Sequence, residues 1–321
     1  MDETYRQMVV AMCSKKFGRK QELKSVVKPQ QGLSAEREYK RLAKEVNNEM
    51  FEIIKENMPL IIDIFKRRYE TGQRYDSDDD DLGELDKIFE KVRLKIKKLA
   101  VGDKLRKRIT NIANVRRKLT VREWKRVCKR TLGVNILSSY YEAGIYRKIV
   151  DNWIDQNVNL IESIPFEEFD KMRQMVFDSW YDSITPKELT EKIQQQWGVT
   201  KSRAELIAVD QTLKLNGEIT KQQHEDAGVT EYIWYTTGDS RVRVDHRKLH
   251  GTRQKWSSPP VVDARTGRRG HPGDDYRCRC VAIPVFDKNN LNLPIENVDW
   301  EAVDERTAQY FKKEMSGRSG L

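Results

Sequence analysis

Two strand-like runs near the C-terminal end enclose about forty residues without a hydrophobic run, and this segment limits the folds open to the chain. The runs are TEYIWYTT, residues 230–237, and CVAIPVF, residues 280–286, both rich in aromatic and β-branched residues. The residues between them are dense in Gly, Pro and Arg. A loop of this length is uncommon in a compact domain unless something holds it in place. The sequence therefore predicts a small domain whose fold depends on a fixing interaction in this segment.

The same segment concentrates residue types that bind metals. Of the four His and four Cys in the chain, three His and two Cys lie here: His246, His250, His271, Cys278 and Cys280. His246 and His250 are four residues apart, a spacing that places both on one face of a helix. Only one residue separates the two Cys, so both sulfurs reach one ion if the chain bends between them. Thiolates and imidazoles are ligands that zinc prefers in proteins.

We interpret this cluster as a structural zinc site with four protein ligands drawn from these five residues. An ion that joins residue 246 to residue 280 closes a loop of over thirty residues and replaces the missing core. The alternative is a loop held by hydrogen bonds, with Cys278 and Cys280 alternating across the start of a strand. Because four protein ligands leave no open position for a reactive water, a catalytic zinc is not expected.

Outside this segment the hydrophobic spacing predicts helices. The fold class is therefore mainly α, with a multi-helix N-terminal and central region and a small α+β C-terminal domain. Pro59 is expected to begin a second helix or kink the first, and Pro165 to end a helix. Thr185, Pro186 and Glu188 match the start of a helix, with Thr185 as its capping residue.

Changes in composition divide the chain into five segments. They are an arm or leader over residues 1–34, a basic helical region over 35–118, a helical domain over 119–227, the small α+β domain with the possible metal site over 228–288, and a tail over 289–321 with one short helix near 299–314. Four Trp fall one to a helix and are expected to anchor hydrophobic cores: Trp124, Trp153, Trp180 and Trp197.

The charge of the chain is concentrated in residues 84–130. This stretch carries 18 Lys and Arg against 5 Asp and Glu, a net charge of +13, whereas the whole chain has +10. A merely solvated helix face usually mixes both signs, so the imbalance favours an acidic partner, either DNA phosphates or an acidic protein surface. The candidate DNA-binding residues are Arg93, Lys97, Lys98, Lys104, Arg106, Lys107, Arg108, Arg116, Arg117 and Lys118.

The N-terminal sequence lacks the apolar run of a signal peptide, and no segment approaches the roughly 18 apolar residues of a membrane span. We therefore expect assembly in a cytosol, without a membrane and without a disulfide framework. Cys13 and Cys128 are expected to be small buried hydrophobes.

No enzyme activity is expected. The sequence has no His-Glu-X-X-His motif, no phosphate-binding Gly loop and no Gly-X-Ser-X-Gly motif. The alternative is a phosphodiesterase-like site built from Asp239, Asp245 and His246 with several Arg.

Two motifs resemble the signature of the phage Mu F-like minor head proteins, also called phage head morphogenesis proteins. They are WYTTGDSRVRVDHRKLHG, residues 234–251, and HPGDDYRCRC, residues 271–280, followed by the short strand VAIPV. The stretch GVTKSRAELIAVDQTLKLNGEITKQQHEDAGVTEYIW is also similar, and the resemblance covers roughly residues 120–286. Some relatives carry VCPxC where this chain has VRVDH, which implies that Arg243 and His246 stand at the two Cys positions.

The resemblance implies a virion protein that is present in few copies, associates with the portal vertex and acts in procapsid assembly and in DNA packaging or delivery. The implied partners are the portal protein, phage DNA and capsid or scaffolding proteins, with assembly in the host cytoplasm. It also implies that His246, Cys278, Cys280 and either His250 or His271 bind one metal. Two alternatives are a metal-dependent nuclease or toxin-type enzyme on a head-protein module, and a free nucleic-acid-binding protein.

Overall fold

A computed structural model describes residues 2–71, 78–100, 103–182 and 184–316 of the chain. Its helices are α1 Glu3–Phe17, α2 Ser34–Thr71, α3 Asp78–Ala100, α4 Asp103–Leu132, α5 Gly144–Tyr181, α6 Pro186–Asp226, α7 Val244–Leu249 and α8 Glu305–Ser316, with 3₁₀ turns at Ser138–Glu142 and Trp300–Ala302. Its strands are β1 Glu22–Lys24, β2 Glu231–Tyr235, β3 Arg253–Lys255, β4 Val261–Asp263, β5 Arg268–Arg269 and β6 Val281–Asp287. The predicted mainly α fold with a small α+β C-terminal part is confirmed.

Two long helices run through prolines that the sequence marks as breaks. Helix α2 continues through Pro59 and α5 continues through Pro165. A proline inside a helix costs roughly 3 kcal/mol, so the surrounding structure must offset this loss. Ile54 and Ile61 lie on either side of Pro59 and are buried in the same core. The helices therefore extend further than the local breakers predict, because packing outweighs local propensity.

The start of α6 is the one that the sequence predicts. The backbone N–H of Thr185 donates to the Glu188 carboxylate at 2.8 Å, and the backbone N–H of Glu188 donates to Thr185 Oγ1 at 3.2 Å. This reciprocal pair is a capping box, with Pro186 at the first helical position. Hydrogen bonds from the backbone and side chain of Thr185 lower the pKa of Glu188.

The chain divides into two compact units, each built from segments that are far apart in sequence. The helical unit comprises residues 34–113 and 152–211, and the terminal unit comprises residues 1–33, 114–151 and 212–321. Residues 35–118 and 119–227 therefore do not form separate compact domains, since parts of both fall in each unit. The reason is that α4, α5 and α6 each have one end in the helical unit and the other end in the terminal unit.

The core of the helical unit lies between α2, α3, α5 and α6. Trp180 is 1% exposed, packs edge-on against Phe65 and lies under the Arg68 guanidinium at 4.2 Å. Trp153 is also buried, and Trp197 packs partly buried against the same core. These Trp anchor the helical unit as expected. Across the described ranges, the helices are too short or too polar to cross a bilayer.

Residues 1–34 do not form the predicted arm, because they are folded into the terminal unit. Helix α1 buries five side chains along one face: Met8, Val9, Met12, Cys13 and Phe17. Strand β1 pairs antiparallel with β6, and Arg253 of β3 binds Glu22 of β1 at 2.6 Å as well as Glu231 of β2. The Tyr5 hydroxyl accepts the backbone N–H of Ile295 at 2.9 Å. The N-terminal segment is therefore fixed at both its helix and its strand.

The predicted tail is also packed in its first part. Leu291, Leu293 and Ile295 are buried, and the short helix expected near residues 299–314 is α8, which begins at Glu305. Ala308 and Phe311 of α8 are buried as well.

Both strands predicted from the sequence are present and pair with each other in a four-stranded antiparallel sheet of order β1-β6-β2-β3. The side chains of β2 alternate between its faces. Tyr232 and Trp234 pack on one face with Cys278 and Cys280, while Ile233 packs on the other face with β6 side chains. The sheet therefore presents a hydrophobic wall to the His- and Cys-containing segment.

The turn at Gly228 provides a test of the contact between the end of α6 and the C-terminal segment. A Cβ at Gly228 lies 1.7 Å from the carbonyl oxygen of Asn290, and φ is +73°. Gly238 has a similar φ of +77° and no atom near its Cβ position. We expect Gly238→Ala to lower the free energy of unfolding by about 1–2 kcal/mol through backbone strain. For Gly228→Ala we expect the same strain and a further loss of about 1–3 kcal/mol in the free energy of unfolding, because the new Cβ overlaps the Asn290 carbonyl. Urea unfolding measures both, and equal losses contradict the close approach.

Candidate metal centre

His246, Cys278 and Cys280 converge at one point of the terminal unit. Their ligand-type atoms all lie within 4.8 Å of one another. Nδ1 of His246 is 3.5 Å from Sγ of Cys278 and 3.6 Å from Sγ of Cys280. The residues are only 2%, 2% and 4% exposed, respectively. The structure thus brings together three of the five residues that the sequence proposes as ligands.

Local structure sets the position of each side chain. His246 lies in α7, and Cys280 directly precedes β6. Cys278 ends a turn in which its N–H donates to the carbonyl of Asp275 at 3.0 Å. Within this turn Arg277 has φ +52°, unlike the other non-glycine residues that the structure describes. Left-handed backbone at such a residue costs about 1–3 kcal/mol, so the turn that aims Cys278 is strained.

Asp275 holds the far side of the His246 ring. Its carboxylate Oδ2 is 3.1 Å from Nε2 of His246, and the side chain has no exposed surface. A proton on Nε2 that is shared with Asp275 leaves the Nδ1 lone pair directed at the two sulfurs. A carboxylate behind a ligating imidazole is a common arrangement at metal sites and fixes the ring orientation. This role of Asp275 was not predicted from the sequence, although the adjacent Asp274 and Asp275 in the motif were a signal.

His250 and His271 do not join the cluster. The Nδ1 atom of His250 lies 2.9 Å from Thr236 Oγ1, and this ring packs against Tyr235. His250 follows the last residue of α7, so the helical spacing with His246 does not place both rings on one face. His271 Nδ1 lies 2.9 Å from the Tyr232 hydroxyl. Both imidazoles are therefore committed to other polar partners.

The cluster favours a charged sulfur. The hydrogen bond with Cys280 lowers the pKa of Cys278 well below its usual value; burial opposes this, and His246 adds to the lowering. The same hydrogen bond, together with burial, raises the pKa of Cys280. Burial lowers the pKa of His246, but the interactions with Cys278 and Asp275 outweigh it, and the pKa is raised. One buried thiolate is thus stabilised beside a second thiol.

The donor set fits zinc. Zinc–sulfur bonds of about 2.3 Å and zinc–nitrogen bonds of about 2.0–2.1 Å, at a tetrahedral angle, separate nitrogen from sulfur by about 3.6 Å. The two nitrogen–sulfur distances of 3.5 and 3.6 Å match this separation. The site has the donor types, the spacing and the orienting carboxylate of a zinc centre.

The cluster has three candidate ligands among the described residues, one fewer than the four predicted from the sequence. The ring of Trp234 packs beside the cluster, with its centre 5.5 Å from the centre of the His246 ring. Three protein ligands leave one coordination position for a water or another donor.

The ten candidate DNA-binding residues do not share one environment. Arg116 is 1% exposed and donates to the carbonyl of Gly32 at 2.8 Å. Arg117 contacts Glu142 at 3.1 Å with only 11% of its side chain exposed. Arg116 is therefore a core residue of the terminal unit, and this candidate is wrong for a DNA-contacting side chain. The burial of Arg116 could not be predicted from the sequence, because a buried Arg has the same helical spacing as an exposed one.

The remaining candidates are on the surface. Arg106 and Arg108 form ion pairs with Asp155 at 2.6 Å and with Glu45 at 2.5 Å. The exposed candidates of α3 and α4 are Arg93, Lys97, Lys98, Lys104, Lys107 and Lys118. Of this group, only Arg93 has an ion pair with a described residue, a distant one with Glu90 at 3.9 Å. The basic surface of these helices is therefore mainly a set of exposed lysines.

Comparisons with known proteins concern the part of the chain that contains the cluster. Residues 170–283 match the family model described as phage Mu protein F like protein, the family that the sequence resembles. The chain is also similar to an uncharacterized protein of Haemophilus influenzae, with 36% identity over 163 residues. That match covers 50% of this chain and 34% of the relative, so the chain spans about a third of its length. No solved structure matches the chain.

Asp275 provides a test of how the segment is held. We expect Asp275→Asn to lower the free energy of unfolding by about 2 kcal/mol, because it removes a buried charged acceptor shared by His246, Arg243 and Arg268. Asp263→Asn is the matched control: its contact with Arg268 is 3.7 Å long and partly exposed. An exposed pair contributes less than about 1 kcal/mol. Urea unfolding with a chelator present measures both, and equal effects contradict the role of Asp275.

Proposed function

We propose that the chain acts as a minor head protein of a bacteriophage, associated with the portal and active in procapsid assembly and in DNA packaging or delivery. The observation that carries this proposal is the match of residues 170–283 to the phage Mu F-like family. The matched range includes His246, Cys278 and Cys280, so it coincides with the most distinctive site of the terminal unit. Under this proposal the partners are the portal protein, capsid or scaffolding proteins and phage DNA. Assembly takes place in the host cytoplasm, and the assembled protein is located in the virion.

His246, Cys278 and Cys280 would hold a structural zinc ion, and the ion would supply cross-linking between α7 and the start of β6. The reason to assign a structural role is burial, since the three residues are at most 4% exposed and a large substrate cannot reach them. The ion would take the place of a hydrophobic core in a segment that has few apolar residues. On this view the protein has no catalytic activity.

One observation favours a second candidate, a metal-dependent nuclease. Three protein ligands and an open position are typical of catalytic zinc sites, and this cluster offers three. Cleavage of plasmid or RNA with added zinc, lost in His246→Gln, would favour this candidate. Absence of turnover in a zinc-loaded protein supports the structural role.

DNA would contact the exposed lysines of α3 and α4. Exposed lysines bind phosphates as point charges and release counterions from DNA, which makes the affinity depend steeply on salt.

The first test of the head role uses particles from the phage or prophage that encodes the chain. We expect mass spectrometry to find the protein in purified portal-containing procapsids at a few copies per particle. Deletion of its gene is expected to lower infectious titre while tails still form. Procapsids that lack the protein, together with a normal titre after deletion, would falsify the proposal.

The second test concerns the metal. We expect about one zinc ion per purified chain by elemental analysis, since the cluster has one set of ligands. Cys280→Ser is expected to lose the zinc. Cys13→Ala is the control, because Cys13 is buried away from the cluster in α1 and burial raises its pKa to about 12. A fully reduced protein that takes up no zinc would rule out the site.

The third test concerns DNA. Replacing Lys97, Lys98, Lys104 and Lys107 with Gln is expected to flatten the slope of log affinity against log salt by about 3–4 units for duplex DNA. The control replaces four other exposed lysines of the helical unit, namely Lys66, Lys187, Lys192 and Lys201. If both sets change the slope equally, the lysines of α3 and α4 form no specific contact surface.

A further inference from the structure

The arginines around the metal cluster share their acidic partners in pairs. The buried Asp275 carboxylate lies 3.1 Å from Arg243 and 2.5 Å from Arg268. Asp239 likewise lies 3.3 Å from Arg241 and 2.7 Å from Arg279. In each group one carboxylate contacts two guanidinium groups. Its single negative charge balances only one of them, whereas its contacts fix the positions of both. Counting this central carboxylate alone, each group keeps one excess positive charge; Arg268 also has a longer, partly exposed contact with Asp263 at 3.7 Å.

These guanidinium groups remain accessible to a partner. The exposed fractions of the side chains are 72% for Arg241, 44% for Arg243, 39% for Arg268 and 28% for Arg279. Both groups flank the turn at residues 275–278, since Asp275 begins this turn and Arg279 directly follows it. The backbone carbonyl of Tyr276 in the same turn accepts from Arg243 at 2.5 Å. The two groups thus form one surface, the paired-arginine surface.

The charge of the whole segment agrees with an anionic partner. Residues 239–280 contain nine Arg and two Lys against five Asp and no Glu, a net charge of +6. Arginine is the preferred residue for phosphate, because its planar fork of donors matches phosphate oxygens. Guanidiniums that are held in place before binding lose little conformational entropy when they bind.

The composition of this surface favours nucleic acid over an acidic protein. Protein interfaces have apolar centres that are depleted in charge, whereas nucleic-acid interfaces are polar and strongly positive. Among the large hydrophobic residues of 239–280, only Val244, Val261 and Tyr276 are exposed. The Tyr276 ring is itself flanked by the cations of Arg268 and Lys214, at 5.1 and 5.6 Å from its centre. An exposed aromatic ring among cations is typical of surfaces that contact nucleotides.

We propose that Arg241, Arg243, Arg268 and Arg279 form a second nucleic-acid contact surface on the terminal unit, which binds the phosphate backbone through guanidiniums fixed in pairs by Asp239 and Asp275. This surface is separate from the lysines of α3 and α4. It requires neither the head role nor an occupied metal site.

The test removes one arginine from each pair. In Arg241→Gln/Arg268→Gln, each aspartate keeps one arginine partner, so the local ion pairing is preserved while the two excess charges are lost. Fluorescence anisotropy with duplex DNA, across a series of salt concentrations, is expected to show weaker binding. The slope of log affinity against log salt is expected to flatten by about 1.8 units, because each phosphate contact contributes about 0.9.

Two controls make the result specific. Lys15→Gln/Lys20→Gln removes the same charge from exposed lysines elsewhere on the terminal unit and is expected to leave the slope nearly unchanged. Arg241→Lys/Arg268→Lys keeps the charge but not the fork, and is expected to restore the slope with a lower affinity than the wild type.

Four results would overturn the proposal. One is a paired-arginine variant whose slope and affinity equal those of the lysine control. Another is a full-length chain that does not bind DNA at low salt. The third is a polyglutamate competitor that binds more tightly than DNA of the same charge, which would assign the surface to an acidic protein. The fourth is loss of DNA binding in the α3–α4 lysine variant with no loss in the paired-arginine variant. DNA would then remain a partner of the chain, as the proposed function states, but through the lysines of α3 and α4.

Discussion

A single buried carboxylate, that of Asp275, organises the segment between the two central strands. It meets His246, Arg243 and Arg268 with no exposed surface of its own. A buried charge is costly unless it is fully paired, so these partners must be present for the segment to adopt this conformation. The carboxylate also orients the imidazole toward the two sulfurs. In a stretch with few apolar side chains, electrostatic pairing therefore takes over part of the role of a hydrophobic core.

The sequence predicted those features that depend on local patterns or on rare residue types. The strands β2 and β6, the capping box at Thr185 and the convergence of Cys278 with Cys280 all belong to this group. The resemblance named His246 but also implied either His250 or His271 as a ligand, and those two rings lie instead against Thr236 and Tyr232. The role of Asp275 was missed because two of its partners are about thirty residues away in sequence.

The fold of the two chain ends was also beyond local reasoning. Residues 1–34 have a polar composition that is typical of an arm, yet β1 completes one edge of the sheet through a strand of three residues. Its contact with Arg253 joins positions 231 residues apart. A pairing of this kind leaves no signal in a short sequence window, since a three-residue strand has almost no periodicity. The two compact units likewise combine segments that are distant in sequence, so their limits cannot be read from changes in composition along the chain.

The two basic surfaces differ in the physical state of their charges. The candidate lysines of α3 and α4 are exposed, whereas Lys95, Arg106 and Arg108 of the same helices form ion pairs with Glu56, Asp155 and Glu45. Lysine is a hydrated point charge on a flexible stem. The arginines beside the His246, Cys278 and Cys280 cluster are held by Asp239 and Asp275, and Asp275 also contacts His246. Mobile cations suit binding that tracks a polyanion without a fixed register, whereas fixed guanidinium forks impose an orientation. A protein that both follows DNA and positions it would require surfaces of both kinds.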